Sequence, residues 1–188
     1  MQKFEQFIID LLIIVLSALS IGACAQLSID LGELSPVPIT AQSLAVLLIA
    51  HLIGWRKGIL SVLLYIVAGG LGAPIFSNAA SGWHVVMGNS FGYLLGFLIS
   101  VLLVGKMADR NPSRFGFYLL HIFLGHLIIL AAGAVGLLRN LSLLDALQYG
   151  VLPFLAGGLI KTFIAAVILS LYRRFRQLMR SGKAESPN

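Results

Sequence analysis

The 188-residue chain is 59% hydrophobic and 11% charged, with a mean hydropathy of +0.96, a composition that excludes an ordinary soluble domain. A formal net charge of +6 would suit nucleic-acid binding in a soluble protein, but here the positive residues sit between apolar stretches, the arrangement of a membrane protein that binds no nucleic acid. No room is left for a separate soluble domain, so residues 1–188 are expected to form one compact membrane bundle.

A bilayer core of ~30 Å needs roughly 20 apolar residues per helix. Residues 7–27, 39–54, 58–73, 90–107, 115–137 and 153–172 approach this, which predicts an all-α membrane fold of six transmembrane helices. Lys3, the pair Arg56-Lys57, the group Lys106, Arg110 and Arg114, and the run Arg173, Arg174, Arg176, Arg180 and Lys183 then share one side. The positive-inside rule makes that side cytoplasmic and puts both termini there. Asp30, Glu33, Arg139 and Asp145 fall on the other side.

In the first span, Ala18 and Gly22 stand four apart, small enough to let a helix of this bundle or of another subunit approach closely. The single Cys24 excludes an intramolecular disulfide and a multi-cysteine zinc site. Ile21-Gly-Ala-Cys24 has the look of a lipoprotein cleavage box, but Glu5 and Asp10 are poor residues for a signal n-region, and an uncleaved first span is expected. Residues 28–39 read as an outer loop, with Pro36 and Pro38 favouring extended backbone. Gln42 follows at the mouth of the second span. An unpaired amide is costly there, so it must bond another helix or face a cavity. His51 reads as interfacial, and Gly54-Trp-Arg-Lys-Gly58 as a tight cytoplasmic turn anchored by Trp55.

From Gly58 to Gly105 there is no Asp, Glu, Lys or Arg, yet Gly69 to Tyr93 is rich in glycine, amides and hydroxyls. Irregular backbone at membrane depth cannot face lipid, so this loop is expected to line a ligand cavity near the outer face. Phe76, Asn78, Trp83 and His84 are placed at or near the outer surface, as a lid over a site entered from outside. Gly88-Asn-Ser-Phe-Gly92 matches the G-x-S-x-G nucleophile pattern, so an intramembrane serine hydrolase using Ser90 and His126 is the enzymatic alternative. The strand-to-helix context of that motif is lacking. So are paired carboxylates, HExxH and a Walker loop, which points to a non-enzyme that needs no metal or other cofactor and does not itself hydrolyse ATP.

Lys106 to Arg114, with Asn111-Pro112 inside it, reads as a cytoplasmic turn. His121 and His126 are five apart, about 140° around a helix, so they share no face and read as structural rather than as a metal pair. The sharpest residue is Lys161, eight residues after Pro153 and therefore about 12 Å into the last span. Its stem points back over Gly158 and Gly157. A cation there needs an anionic partner, and no span holds an Asp or Glu near that depth, so a substrate carboxylate is the expected counter-ion. Snorkelling, or a pair with Glu33 or Asp145, is the alternative.

Four stretches together resemble the biotin-specific substrate-binding component of energy-coupling-factor transporters, the BioY family. They are Pro38-Ile-Thr-Ala-Gln42, Tyr65-Ile-Val-Ala-Gly-Gly-Leu-Gly-Ala-Pro-Ile-Phe76, Gly88-Asn-Ser-Phe-Gly-Tyr-Leu-Leu-Gly-Phe97 and Pro153-Phe-Leu-Ala-Gly-Gly-Leu-Ile-Lys161. The resemblance implies six helices, a vitamin site near the outer face, and partnership with a transmembrane coupling subunit and two cytoplasmic ATPases in the plasma (inner) membrane of a prokaryote. It implies that Ala18 and Gly22 contact the coupling subunit. It makes Lys161 the partner of the biotin carboxylate and Asn78 a partner of the ureido ring, with Gln42, Asn89, Ser90 and Tyr93 in the same pocket and Phe76 and Trp83 against the apolar parts. Two stretches depart from the family pattern. Gly158 stands where an aspartate is usual, and Gly-Asn-Ser-Phe-Gly-Tyr replaces Gly-Pro-Thr-x-Gly-Tyr. Asn89 is the candidate to supply the lost contact, and a biotin precursor or another anionic vitamin is the alternative ligand.

Overall fold

The computed structural model describes residues 2–110 and 114–184. The Asn111-Pro112 turn lies outside the described residues, as do the side chains of Arg180 and Lys183. Helix α1 (Gln2–Gln26) leads into a two-residue strand β1 (Ser28–Ile29), a 3-10 turn (Gly32–Leu34) and strand β2 (Ile39–Thr40). The strands pair antiparallel, Ser28 opposite Thr40 and Ile29 opposite Ile39, so the outer loop is pinned at its base by a ladder the prolines did not announce. Helix α2 (Gln42–Gly70), a 3-10 turn (Ser77–Ala79), α3 (Trp83–Val86), α4 (Phe91–Arg110), α5 (Phe115–Leu137), α6 (Leu143–Gly150) and α7 (Leu152–Ala184) complete the chain.

Five of these helices are long and apolar enough to cross a membrane: α1, α2, α4, α5 and α7. Their outward faces carry Phe7, Leu12, Leu16 and Leu19 on α1 and Leu159, Ile160 and Phe163 on α7, all more than half exposed. Such surfaces are stable against lipid rather than water, and the protein is a multi-pass membrane protein.

The expected second and third spans appear as one element, α2, broken at Gly54. Gly54 has φ 78° and ψ 170°, a conformation open essentially to glycine alone. The break reverses the chain. In an unbroken helix Gln42 and Tyr65 would be about 35 Å apart, yet the Gln42 amide donates to the Tyr65 hydroxyl. A Cβ at Gly58 would lie 3.8 Å from Ala50 Cα, which only a folded-back hairpin permits. At this turn Trp55 is flanked by Arg56 (5.0 Å) and Lys106 (5.2 Å), and Lys57 Nζ reaches Asp10 Oδ1 at 2.6 Å. Basic residues far apart in sequence thus gather at one end of the bundle.

Val46, Leu47, Val62 and Tyr65 of α2, Val101 and Val104 of α4 and Ile122 and Leu137 of α5 form the fully buried centre. Helices α4 and α5 touch backbone to backbone. A Cβ on Gly92 would stand 2.3 Å from Ala132 O and 2.8 Å from Gly136 Cα, so a larger residue would separate the pair.

Ala18 and Gly22, small enough to admit a helix of this bundle or of another subunit, are both buried in the chain itself, with Ile75 Cβ only 3.2 Å from where a Gly22 side chain would begin. Gly69 and Gly70, expected in the irregular loop, instead end α2. They remain helical and serve as seats for the Phe76 and Trp83 rings, whose carbons would come within 2.3 Å and 3.0 Å of added Cβ atoms. His51, read as interfacial, packs against Tyr118 (5.4 Å) and His121 (5.3 Å). The short α6 also went unforeseen. It begins at a local cap, where Ser142 Oγ accepts the Asp145 amide at 3.2 Å and donates to Asp145 Oδ2 at 2.7 Å.

Candidate binding site

A cavity opens at the end of the bundle away from Trp55, walled by α2, α4, α5 and α7 and bounded by segments 37–43 and 76–77. Apolar side chains dominate it: Val37, Phe76, Val85, Leu94, Phe97, Ile129, Leu130 and Phe154. Thr40, Gln42, Ser43, Ser77, Ser90, Tyr93, His126 and Lys161 supply the polar groups. No Asp or Glu is among the lining residues. An apolar pocket with a few convergent polar groups is the usual form of a small-molecule site.

Lys161 enters this wall as its position in the last span requires. Its ammonium crosses to the strand–helix junction at the start of α2, donating to Thr40 O at 3.1 Å and Ser43 Oγ at 2.8 Å. Both partners are neutral. Neither Glu33 nor Asp145 pairs with it; Asp145 is bonded to Ser142. A half-buried lysine held by two neutral oxygens keeps its capacity for an anion.

Gln42 lines the same wall. Its carbonyl accepts from Thr40 Oγ1 at 2.9 Å while its amide donates to Tyr65, so the residue both bonds another helical segment and faces the cavity. Phe76 is buried at 3% exposure, edge-on to Tyr65 at 5.4 Å, and caps the cavity from the loop. Tyr93 donates to Gly150 O at 2.6 Å, tying α4 to the end of α6, and its ring is 5.8 Å from Phe154. Ser90 also lines the cavity.

Asn78, Trp83 and Asn89 do not. Asn78 is exposed, sits at φ 58°, and its carbonyl accepts from Ser28 Oγ at 3.0 Å. Trp83 lies over Gly70 with nearly half its surface exposed, and Asn89 is exposed beyond the rim.

Sequence reasoning missed Gln26. At the last turn of α1 its amide donates to Phe76 O at 2.9 Å and Gly22 O at 3.1 Å, and its carbonyl accepts the Ala79 amide at 3.1 Å. One side chain thus holds both ends of the turn that carries Phe76 and Ser77 over the cavity. Ser43 and His126 were also missed as lining residues. The local signal was a polar residue at the end of an apolar span for Gln26 and Ser43 and within one for His126.

The BioY family profile matches residues 1–178. The Thermotoga maritima "biotin transporter BioY" is 37% identical over 147 residues, 77% of this chain and 83% of that protein. The "biotin transporter BioY2" of Lactococcus lactis subsp. cremoris is 31% identical over 169 residues, 87% and 90% of the two chains. Among solved structures, the S-component for biotin from an ECF-type ABC transporter superposes with a TM-score of 0.78 at 25% identity, over 90% of this chain and 93% of that one.

Proposed function

This chain belongs to the BioY family, and from that membership we propose that it is the substrate-binding subunit of an energy-coupling-factor transporter that captures biotin. The observation that carries the reading is Lys161, whose ammonium faces an apolar cavity walled without a carboxylate and sits against the first turn of α2, an end of a helix that favours anions. It binds the biotin carboxylate. Gln42, Ser90 and Tyr93 border the ring and chain, and Phe76 covers the apolar part. Asn78 and Asn89 join the site only if the loop rearranges, since Asn78 must first give up Ser28.

The chain forms a single membrane domain of six spans, with α2 contributing two. The reversal at Gly54 and the Gln42–Tyr65 bond support that count. The end bearing Arg56, Lys57 and Lys106 is cytoplasmic, as are both termini, so the cavity opens toward the outside of a prokaryotic plasma membrane. Uptake is driven by a transmembrane coupling subunit and two ATPases. The protein is a transport subunit, not an enzyme. An ATP-driven module needs a surface on this chain, and with Ala18 buried and Gly22 covered by Ile75 that contact falls on other residues or follows movement of the loop.

Equilibrium binding of radiolabelled biotin to detergent-purified protein tests this, run beside Lys161→Ala with biotin amide as competitor. Tight binding, lost in the variant and poorly competed by the amide, is expected. Folded wild-type protein that fails to bind biotin sinks the assignment and turns attention to other anionic vitamins.

A further inference from the structure

We propose that His126 is a specificity-determining residue whose Nε2 accepts an N–H from the ligand's ureido ring; the inference rests on the biotin reading above. His126 projects from the middle of α5 and is buried, 4% exposed, with its ring on the cavity wall. Nδ1 lies 3.0 Å from Thr162 Oγ1 and 3.2 Å from Ile122 O. The Thr162 hydroxyl gives its one proton to Gly158 O at 2.8 Å, leaving only acceptor capacity toward the imidazole. A carbonyl oxygen can also only accept. The ring proton is therefore on Nδ1, and a neutral imidazole keeps a lone pair on Nε2.

Nε2 is buried with no hydrogen-bond partner among the described residues. An acceptor left in that condition is costly, and a ligand N–H removes the cost. Two other acceptors in the wall are already engaged: Gln42 Oε1 by Thr40, Ser43 Oγ by Lys161. The ring is fixed from behind by the Gly158–Thr162–His126 chain of bonds, so Nε2 is a rigid acceptor on a residue that lines the same cavity as Lys161, a pure donor. A ligand with a carboxylate at one end and an N–H donor at the other satisfies both. Sites that bond a substrate N–H reject analogues lacking it, because the site's own polar group is then stranded.

The test uses the detergent-purified full chain as wild type, His126→Phe and His126→Gln. Competition against radiolabelled biotin compares unlabelled biotin with the two analogues in which ring oxygen replaces one ureido N–H, near-isosteres that lack a donor. Wild type is expected to bind one of these at least tenfold more weakly than biotin. His126→Phe is expected to bind biotin at least tenfold more weakly than wild type and to lose that discrimination, and His126→Gln, whose carbonyl can accept, to retain part of it. Discrimination unchanged in a folded His126→Phe overturns the inference while leaving the biotin reading intact. If that variant does not fold, the wild type and His126→Gln still decide, since a wild type indifferent to both analogues overturns it as well. Wild-type protein that binds no biotin removes the biotin reading itself and this inference with it.

Discussion

Replacing Gln26 by leucine should loosen the cover of the cavity without dismantling the bundle. Leucine is close in size but removes the bond to Phe76 O (2.9 Å) and the bond from the Ala79 amide (3.1 Å), the two that join α1 to the loop. At roughly 0.5–1.5 kcal/mol net per hydrogen bond, the latch is worth about 1–3 kcal/mol. Other contacts hold the loop in place: the Gly82 amide donates to Gly69 O at 2.7 Å, and the Phe76 ring stays seated on Gly69 and against Tyr65. The variant therefore folds, and the loss falls on the closed arrangement. If biotin leaves past this loop, about 1–3 kcal/mol converts to roughly a 5- to 150-fold faster dissociation. Protein loaded with radiolabelled biotin and chased with excess unlabelled biotin reads the rate directly. A folded Gln26→Leu protein that releases biotin within twofold of the wild-type rate would refute the latch and place control of release elsewhere.

Two further substitutions probe glycines whose roles differ. Gly69→Ala puts a methyl group 2.3 Å from the Phe76 ring, so the ring must leave its seat on the cavity wall. It should cost about 1–3 kcal/mol of stability and also weaken biotin binding, read together by thermal unfolding in detergent and equilibrium titration. Gly54→Ala meets no neighbour within 4 Å, so its cost is backbone strain alone at φ 78° and ψ 170°. About 1–3 kcal/mol of destabilisation is expected, with biotin affinity of the folded protein unchanged because the turn is at the far end of the bundle. Unaltered melting of Gly54→Ala would show that the reversal does not depend on that conformation.

The difference between these two glycines illustrates what is legible in a chain. Gly54, inside Gly-Trp-Arg-Lys-Gly, was readable as a reversal because charge and Trp55 mark an interface locally. Gly69 and Gly70 fell within the stretch read as irregular backbone, since propensity is the local property of glycine. Their use as seats for Phe76 and Trp83 depends on a loop that returns seven and thirteen residues later, and propensity carries no information about that return. Asn78 was similarly attractive by type, and only its left-handed backbone and bond to Ser28 turn it away from the cavity.

By itself the sequence determined that the protein lives in a membrane, roughly where its apolar helices lie, that its basic residues collect at one end, and that Lys161 is a cation without a carboxylate at its depth. All of these are sums of transfer energy or charge along the chain, which one dimension suffices to record. The tertiary structure alone decided that Gln26 fastens the loop, that Ala18 and Gly22 face inward, and that His126 bonds Thr162 through Nδ1 and leaves Nε2 buried without a partner among the described residues. Those pairings join residues 36 to 53 positions apart. Hydropathy is nearly blind to the rotation of a helix that is apolar all round, and that rotation is fixed by packing against the other helices.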